Sequence, residues 1–438
     1  MPTPLYDALC QYAAKHPARF HMPGHKGSGL PVPELSPLAP IDVTEIPGTG
    51  NLYTAGEPFD SAQSLWAGCV GFEGCQFLTG GSTMGIHTAL ALCCAPGEKV
   101  LLDRNCHRAA FNALALLDLE PVYLERPWLT EEGLIGPISP ENVEKMLDLN
   151  PEVKTVCITS PTYAGILSDI GAIGRIVHAH GGKLFVDGAH GAHLPFLIKD
   201  PFLGADVVVV SAHKTLPAMG QSALLFYRGF DPELVRLRAS LYGSSSPSYP
   251  MMASMDVARQ WMEEEGRIAY RETARRVARL RDRFPSLGED LPLDPTRFTL
   301  KVKDGPAFAR ALEERGIFPE MEDGGHVVFI CTAQDNAENL ERLEYALEGM
   351  KEQMGPCPPL PAPLLPRRVT SPRAALFGRT GTKRLDLCQG EVAACQIAPY
   401  PPGVPVVAPG EEIGKKELAY LTEIGYNMLS DVRILSQN

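Results

Sequence analysis

GGKLFVDGAHGAHLPF (residues 181–196) and ADVVVVSAHKTLPAMGQSALLF (residues 205–226) each carry one uninterrupted apolar run, at 184–186 and 207–210. Such runs predict strands of a parallel sheet covered on both faces. Each stops abruptly in polar residues, the first on Asp187 and the second on Ser211, His213 and Lys214. In open α/β sheets ligands gather at the carboxyl ends of the strands, so an acid and an amine delivered there from two strands can converge on one molecule. A cofactor with a basic ring nitrogen and an aldehyde needs that pair, and pyridoxal 5'-phosphate (PLP) has both.

Outward from this stretch, strand and helix patterns alternate. The strand CQFLT leads into Gly80-Gly81-Ser82-Thr83 and an apolar helix, an arrangement that aims free N–H groups and the positive end of a helix at an anion. A cap on that helix is the plainer reading of Ser82 or Thr83. Next come KVLLD, the polar turn 104–107 and a helix over 109–117, then a strand over 153–158 and a crossover helix over 170–180. This spacing predicts a largely parallel sheet. No GxGxxG follows a strand, which argues against a dinucleotide site.

Farther out, residues 1–55 hold a short helix over 5–15 and then recurrent Pro and Gly, and read as an arm packing on another surface. Residues 56–285 form the large domain, with a helix over 59–69 and a long helix from about 252 to 284. Residues 286–354 alternate again and read as a small α/β domain; 355–372 is a proline-rich linker and 373–438 a C-terminal domain with a second proline-rich turn at 398–405.

The 438 residues suffice for several cores, and a formal charge of −12 without a sustained Lys/Arg run argues against nucleic acid or membrane as partner. Eleven scattered cysteines, with no CxxC spacing, suit reduced thiols in the cytoplasm. The first twenty residues lack a basic region followed by a long apolar core, so no signal peptide is expected. His21/His25 and His190/His193 lack a completing carboxylate or cysteine cluster, so no metal site is expected.

FHMPGHKG, DVTEIPGTGNLY, FLTGGSTMG, DRNCHRAAFNAL, TSPTYAGILSDI, VDGAHGAH, SAHKTLPAMGQ, SSSPSYPMMAS and PYPPGVPVVAPGE, in that order, resemble the PLP-dependent ornithine/lysine/arginine decarboxylases nearly end to end. The resemblance implies an α/β, aspartate-aminotransferase-like (fold type I) PLP domain with a small α/β domain and a C-terminal domain. It is to the short form, which begins at the catalytic region without a wing domain.

Lys214 is then the residue that binds the cofactor aldehyde, and Asp187 the partner of the pyridine nitrogen. The resemblance places Ala189 flat on the ring, His190 near the 3'-oxygen and His107 stacked over the opposite face, able to deliver a proton to Cα. Ser82, Thr83, Ser211 and His213 are phosphate donors. Ser245 reaches the phosphate of a neighbouring subunit, which implies active sites at the interface of a homodimer or larger assembly. Glu45 and Glu391 are candidates for the distal cation of the substrate, since a buried cation needs an acidic partner. Around Glu391 the chain has Ala394-Cys395 where relatives carry a small residue followed by Glu or Asn, a departure that bears on substrate identity.

The expected activity is decarboxylation of arginine to agmatine, as in polyamine biosynthesis, with lysine to cadaverine or ornithine to putrescine next. The alternatives are another fold type I PLP enzyme, an aminotransferase or aldolase-type lyase, or a non-catalytic regulatory homologue. The last would be expected to lack Lys214, Asp187 or His107, and all three are present.

Overall fold

The structure is a computed structural model that describes residues 1–288, 290–356, 361–399 and 403–436. Residues 357–360 of the proline-rich linker and 400–402 of the second proline-rich turn lie outside the described residues. Seven strands make the main sheet: β1 (Gly74–Leu78), β2 (Lys99–Asp103), β3 (Glu120–Leu124), β4 (Thr155–Thr159), β5 (Lys183–Asp187), β6 (Val207–Ser211) and β7 (Ala223–Tyr227), ordered β1-β7-β6-β5-β4-β2-β3. The pairs β2–β3, β2–β4 and β5–β6 are parallel, whereas β7 runs antiparallel to both β1 and β6. The short return between β6 and β7 explains the reversal, because a parallel neighbour needs a crossover long enough to hold a helix. Composition cannot reveal this, since all five residues of β7 are as buried as those of β6.

The chain divides into two compact units, Met1–Leu92 with Phe185–Glu272 and Cys93–Leu184 with Thr273–Asn438. In the first unit, helix Gly81–Cys93 lies close on the sheet because Gly85 has no side chain: a Cβ there would come within 2.5 Å of Val209 Cγ1 and 2.7 Å of Leu78 Cδ1. Helix Phe59–Val70 buries Phe59 and Trp66, whose indole N–H donates to the Met255 carbonyl at 3.0 Å. Helix Pro4–Ala14 buries Leu5 and Leu9, and its first turn is held by Asp256, which accepts from the Leu5 and Tyr6 N–H groups at 2.9 and 3.2 Å. The arm expected to lie on another surface therefore begins by docking on its own chain.

The long helix expected over about 252–284 is present, with one irregularity. Helix Tyr249–Trp261 passes through a π-turn, Met262–Gly266, before helix Arg267–Arg283. Hydrophobic periodicity does not register such a change of hydrogen-bond register, and π-turns recur near functional sites.

The second unit contains β2, β3 and β4 together with two smaller cores. Strands β8 (Arg297–Lys301), β9 (Met321–Glu322) and β10 (His326–Ile330) form an antiparallel sheet in the order β8-β10-β9. Phe298, Leu300 and Val327 pack there with Phe308 and Leu347 of helices Gly305–Glu313 and Ala337–Glu348. Nearer the C-terminus β11 (Thr380–Arg384) pairs with β14 (Asp431–Leu435), and β12 (Glu391–Val392) with β13 (Glu412–Ile413), over a core including Leu385, Ile397, Val407 and Leu421. Among the described residues no helix is long and apolar enough to cross a membrane.

Candidate active site

The register of the first unit brings the predicted residues to one edge of the sheet. Leu78 of β1 and Ser211 of β6 both lie opposite Ala223 of β7, and Asp187 of β5 lies opposite Val209 of β6. Residues opposite one another share a face, and alternate residues along a strand share it too, so Leu78, Asp187, Val209 and Ser211 face the same side. Leu78 and Val209 both meet the vacant Cβ position of Gly85, which identifies that side as the one beneath helix Gly81–Cys93. Asp187 and Ser211 are thus separated by about 7 Å along the strands and about 4.8 Å across them, a span suited to one small aromatic ligand.

After β6 a single helical turn, Ala212–Thr215, carries Lys214 back toward the β5 tip. Lys214 Nζ lies 3.0 Å from Nε2 of His190, which is almost fully buried. Backbone bonds tie the two tips together: Gly188 N donates to Val209 O at 2.8 Å and Ser211 N to Ala189 O at 3.2 Å. Asp187, also buried, accepts from the Ala189 N–H at 3.2 Å, and Ala189 is buried beside it. His213 donates from Nδ1 to the Ser222 carbonyl at 2.8 Å, so its neutral ring presents Nε2 as an acceptor and donates to a phosphate only when protonated.

These residues fit PLP. Ser211 Oγ is fully buried and has no hydrogen-bond partner among the described residues, an uncommon state for a buried hydroxyl and the one a polar ligand would relieve. Helix Gly81–Cys93 starts three residues earlier than its apolar run, so Ser82 and Thr83 lie in its first turn; Gly81, at φ +68°, makes the sharp entry. Ser82 is half-buried and Thr83 exposed, which leaves both hydroxyls reachable.

Glu45 is half-buried, accepts from Thr44 Oγ1, and lies near Tyr53 and Tyr249, whose hydroxyls burial pushes up in pKa and the Glu45 charge pushes further. Ser245 is exposed. In the second unit His107 caps helix Arg108–Leu117, with Nδ1 accepting the Ala109 N–H at 3.2 Å. That bond keeps Nδ1 unprotonated and puts the ring proton on Nε2; delivery of a further proton requires the cap to open. Glu391, in β12, is bonded to Lys383 Nζ at 2.6 Å, so its charge already has a partner.

Three features had no signal in the sequence reading. Ser222, which orients His213, sits in an unremarkable loop. Arg104 and Glu411, 307 positions apart, form a buried ion pair at 3.0 Å. Tyr270, just beyond the π-turn, donates to the Thr215 carbonyl and stacks on His193 at 5.1 Å. Only Arg104, a charge directly after a buried strand, could have been flagged. Among the described residues no group of three His, Cys, Asp or Glu is arranged to hold a metal ion.

Comparison with known proteins gives a consistent outcome. Residues 3–300 match the Orn/Lys/Arg decarboxylase major domain and residues 365–426 the Orn/Lys/Arg decarboxylase C-terminal domain. The chain is 31% identical to an uncharacterized protein, YaaO, of Bacillus subtilis (strain 168), over 97% of this chain and 94% of that one. It is 29% identical to an arginine decarboxylase of the same organism, over 96% and 93%. Its fold is similar to the crystal structure of the Francisella novicida lysine decarboxylase LdcF, with a TM-score of 0.83 at 20% identity over 99% of this chain and 81% of that one.

Proposed function

The chain belongs to the Orn/Lys/Arg decarboxylase family, and from that premise we propose that it is a PLP-dependent decarboxylase of a basic amino acid, with arginine as the preferred substrate and lysine and ornithine behind it. The observation that carries this reading is the 3.0 Å contact of Lys214 Nζ with His190 Nε2, in a register that sets Asp187 and Ser211 on one face of the sheet. The ranking of arginine rests on the relative named arginine decarboxylase and not on the chemistry of the pocket.

When bound, PLP supplies a cationic ring that draws electrons from the bond to be broken. Lys214 would hold its aldehyde carbon, and Asp187 would keep a proton on the ring nitrogen. His190 Nε2 is placed to take a proton from Lys214 Nζ, leaving the neutral amine that attack on a carbonyl requires. Ser211, Ser82 and Thr83 would donate to the phosphate, and Ala189, small and buried beside Asp187, would leave room for the ring. The resemblance gives His107 the part of proton donor, which it could play only with both ring nitrogens protonated, after Nδ1 has let go of the Ala109 N–H. Decarboxylation in place of transamination would require the chain to orient the Cα–carboxylate bond so that its electrons pass to the bound group.

A homodimer with Ser245 donating in trans completes the reading. Its support is the exposure of Ser245 and of Phe20, Met22, Leu35 and Leu38 in the arm, apolar side chains that a second copy would cover. A cytoplasmic setting suits the thiols, since each of the ten described cysteines is free.

The test is to give purified protein with PLP each of the three amino acids separately and identify the products. Agmatine and equimolar CO₂, formed fastest from arginine, are expected. A keto acid formed only with an amino acceptor, or no product from any of the three while PLP is bound, would sink the proposal. Borohydride treatment should leave PLP attached to the peptide containing Lys214 and not to a Lys214→Ala chain.

A further inference from the structure

We propose that Arg104 and Glu411 form a clamp that positions His107 for the reaction. The inference rests on the role given to His107 above and adds residues to which that role assigns nothing.

His107 lies four residues beyond the end of β2, in a turn fixed at both sides. On the strand side, Asp103 is gripped by Arg126, whose Nε and Nη2 reach its carboxylate at 3.1 and 2.7 Å, and it accepts the Asn105 N–H at 3.0 Å. The next residue, Arg104, leaves in another direction. Its guanidinium lies 5.3 Å from the rings of both Phe111 and Tyr123, and it donates to Pro405 O at 2.7 Å, Val406 O at 3.1 Å and Glu411 Oε2 at 3.0 Å.

Glu411 is fully buried, and the same oxygen, Oε2, also accepts the Ala408 N–H at 2.7 Å. Beyond His107 the same C-terminal segment takes hold again. Arg108 N donates to Gly403 O at 3.0 Å, while Gln396 Nε2 donates to Arg108 O at 3.0 Å and Asn112 Oδ1 at 2.7 Å. The turn is thus held through the Arg104 side chain, three residues before His107, and through the Arg108 backbone, one residue after it.

A buried ion pair gains little net stability, because removing both charges from water offsets their attraction. Its effect is on geometry: a planar guanidinium with three acceptors has one orientation, and the turn that bears it has little freedom left. A shift of about 1 Å at a group facing the reacting atoms is enough to cost about 100-fold in rate.

Four variants separate the clamp from its alternatives. Arg104→Lys keeps the charge but cannot reach all three acceptors. Glu411→Ala removes the anchor, whereas Glu411→Gln can place its single carbonyl oxygen where Oε2 takes both bonds. Gln396→Ala, at a half-exposed site, probes the far side should Arg104→Lys fail to fold. Thermal unfolding, PLP content, kcat and KM are read for each. Arg104→Lys and Glu411→Ala should stay folded and PLP-loaded, keep KM within about two-fold and lose about 10- to 100-fold in kcat, with Gln396→Ala losing less. Glu411→Gln should recover most of that loss.

Wild-type kcat in folded Arg104→Lys and Glu411→Ala overturns the clamp, as does a loss that follows PLP content or unfolding alone. A His107→Gln control separates the two levels. If it leaves kcat intact, the role given to His107 is wrong and the clamp falls with it. If it lowers kcat while the clamp variants do not, the clamp alone is wrong.

Discussion

Ser211 carries a hydroxyl with no exposure and no partner among the described residues, a condition that costs about 1–3 kcal/mol in a folded chain. A residue placed at that cost at the tip of β6 is best understood as serving a ligand. Ser211→Ala should therefore raise the stability of the PLP-free chain by roughly 1 kcal/mol while weakening PLP binding about ten-fold. Unfolding scans with and without PLP, together with equilibrium dialysis, measure both, and a less stable PLP-free variant would contradict the argument. Asp256 presents the opposite balance. Burial raises its pKa to about 6 against the pull of the Tyr6 and Leu5 N–H groups and of Arg259, with Asp7 adding repulsion. The folded chain therefore binds this proton more tightly than the unfolded one, so the stability linked to it is fully present below about pH 4 and is lost as pH rises through about 6. Asp256→Asn removes the titration but keeps an acceptor for the helix Pro4–Ala14. Its stability relative to the parent should climb between pH 4 and 7 by on the order of 2 kcal/mol, and a difference that stays flat with pH would refute the assignment.

Elements explain what could be read from the sequence and what could not. The runs at 184–186 and 207–210 were legible because a strand buried on both faces has no polar side to interrupt it. Strand β7 is just as buried and apolar, and only the length of its connection tells its direction. Helix starts were less legible: the apolar run after Thr83 hid the fact that Gly81 at φ +68° already opens the helix and places both hydroxyls in its first turn. The π-turn was invisible, since one shifted hydrogen-bond pattern leaves the apolar spacing nearly unchanged, yet just beyond it Tyr270 meets Thr215 and His193. The seating of helix Gly81–Cys93 on the sheet depends on Gly85, whose added Cβ would collide with buried Val209 and Leu78. Gly85→Ala should cost about 1–3 kcal/mol by overpacking, and it should also speed PLP loss, because the helix that lifts carries Ser82 and Thr83. Denaturant midpoints and the rate of PLP release check the pair; a destabilised variant that releases PLP at the parent rate would detach that helix from the site.

At the scale of the whole molecule, sequence patterns identify strands and their tips but not contacts between distant segments. Arg104 stands out only as a charge directly after a buried strand and Glu411 not at all, and only the folded chain pairs them. The same holds for a second copy, which the sequence suggests through its Pro- and Gly-rich arm. Helix Pro4–Ala14 is satisfied within its own chain, but Phe20 is 95% and Leu35 62% exposed, and Met22 and Leu38 are exposed as well. Single exposed apolar residues are ordinary on a protein surface; several within twenty residues are the ground for the dimer proposed above. Burying a phenylalanine and a leucine contributes roughly 2 kcal/mol each, and a homodimer carries two of each, so Phe20→Asp with Leu35→Asp should raise a dimer dissociation constant by up to about a million-fold. Sedimentation at micromolar concentration should then find monomers. Because Ser245 is proposed to act on the neighbouring subunit, those monomers should also hold PLP weakly and turn over slowly, and concentrating the sample should restore both. A double variant that sediments and turns over like its parent would show that the arm meets no second copy.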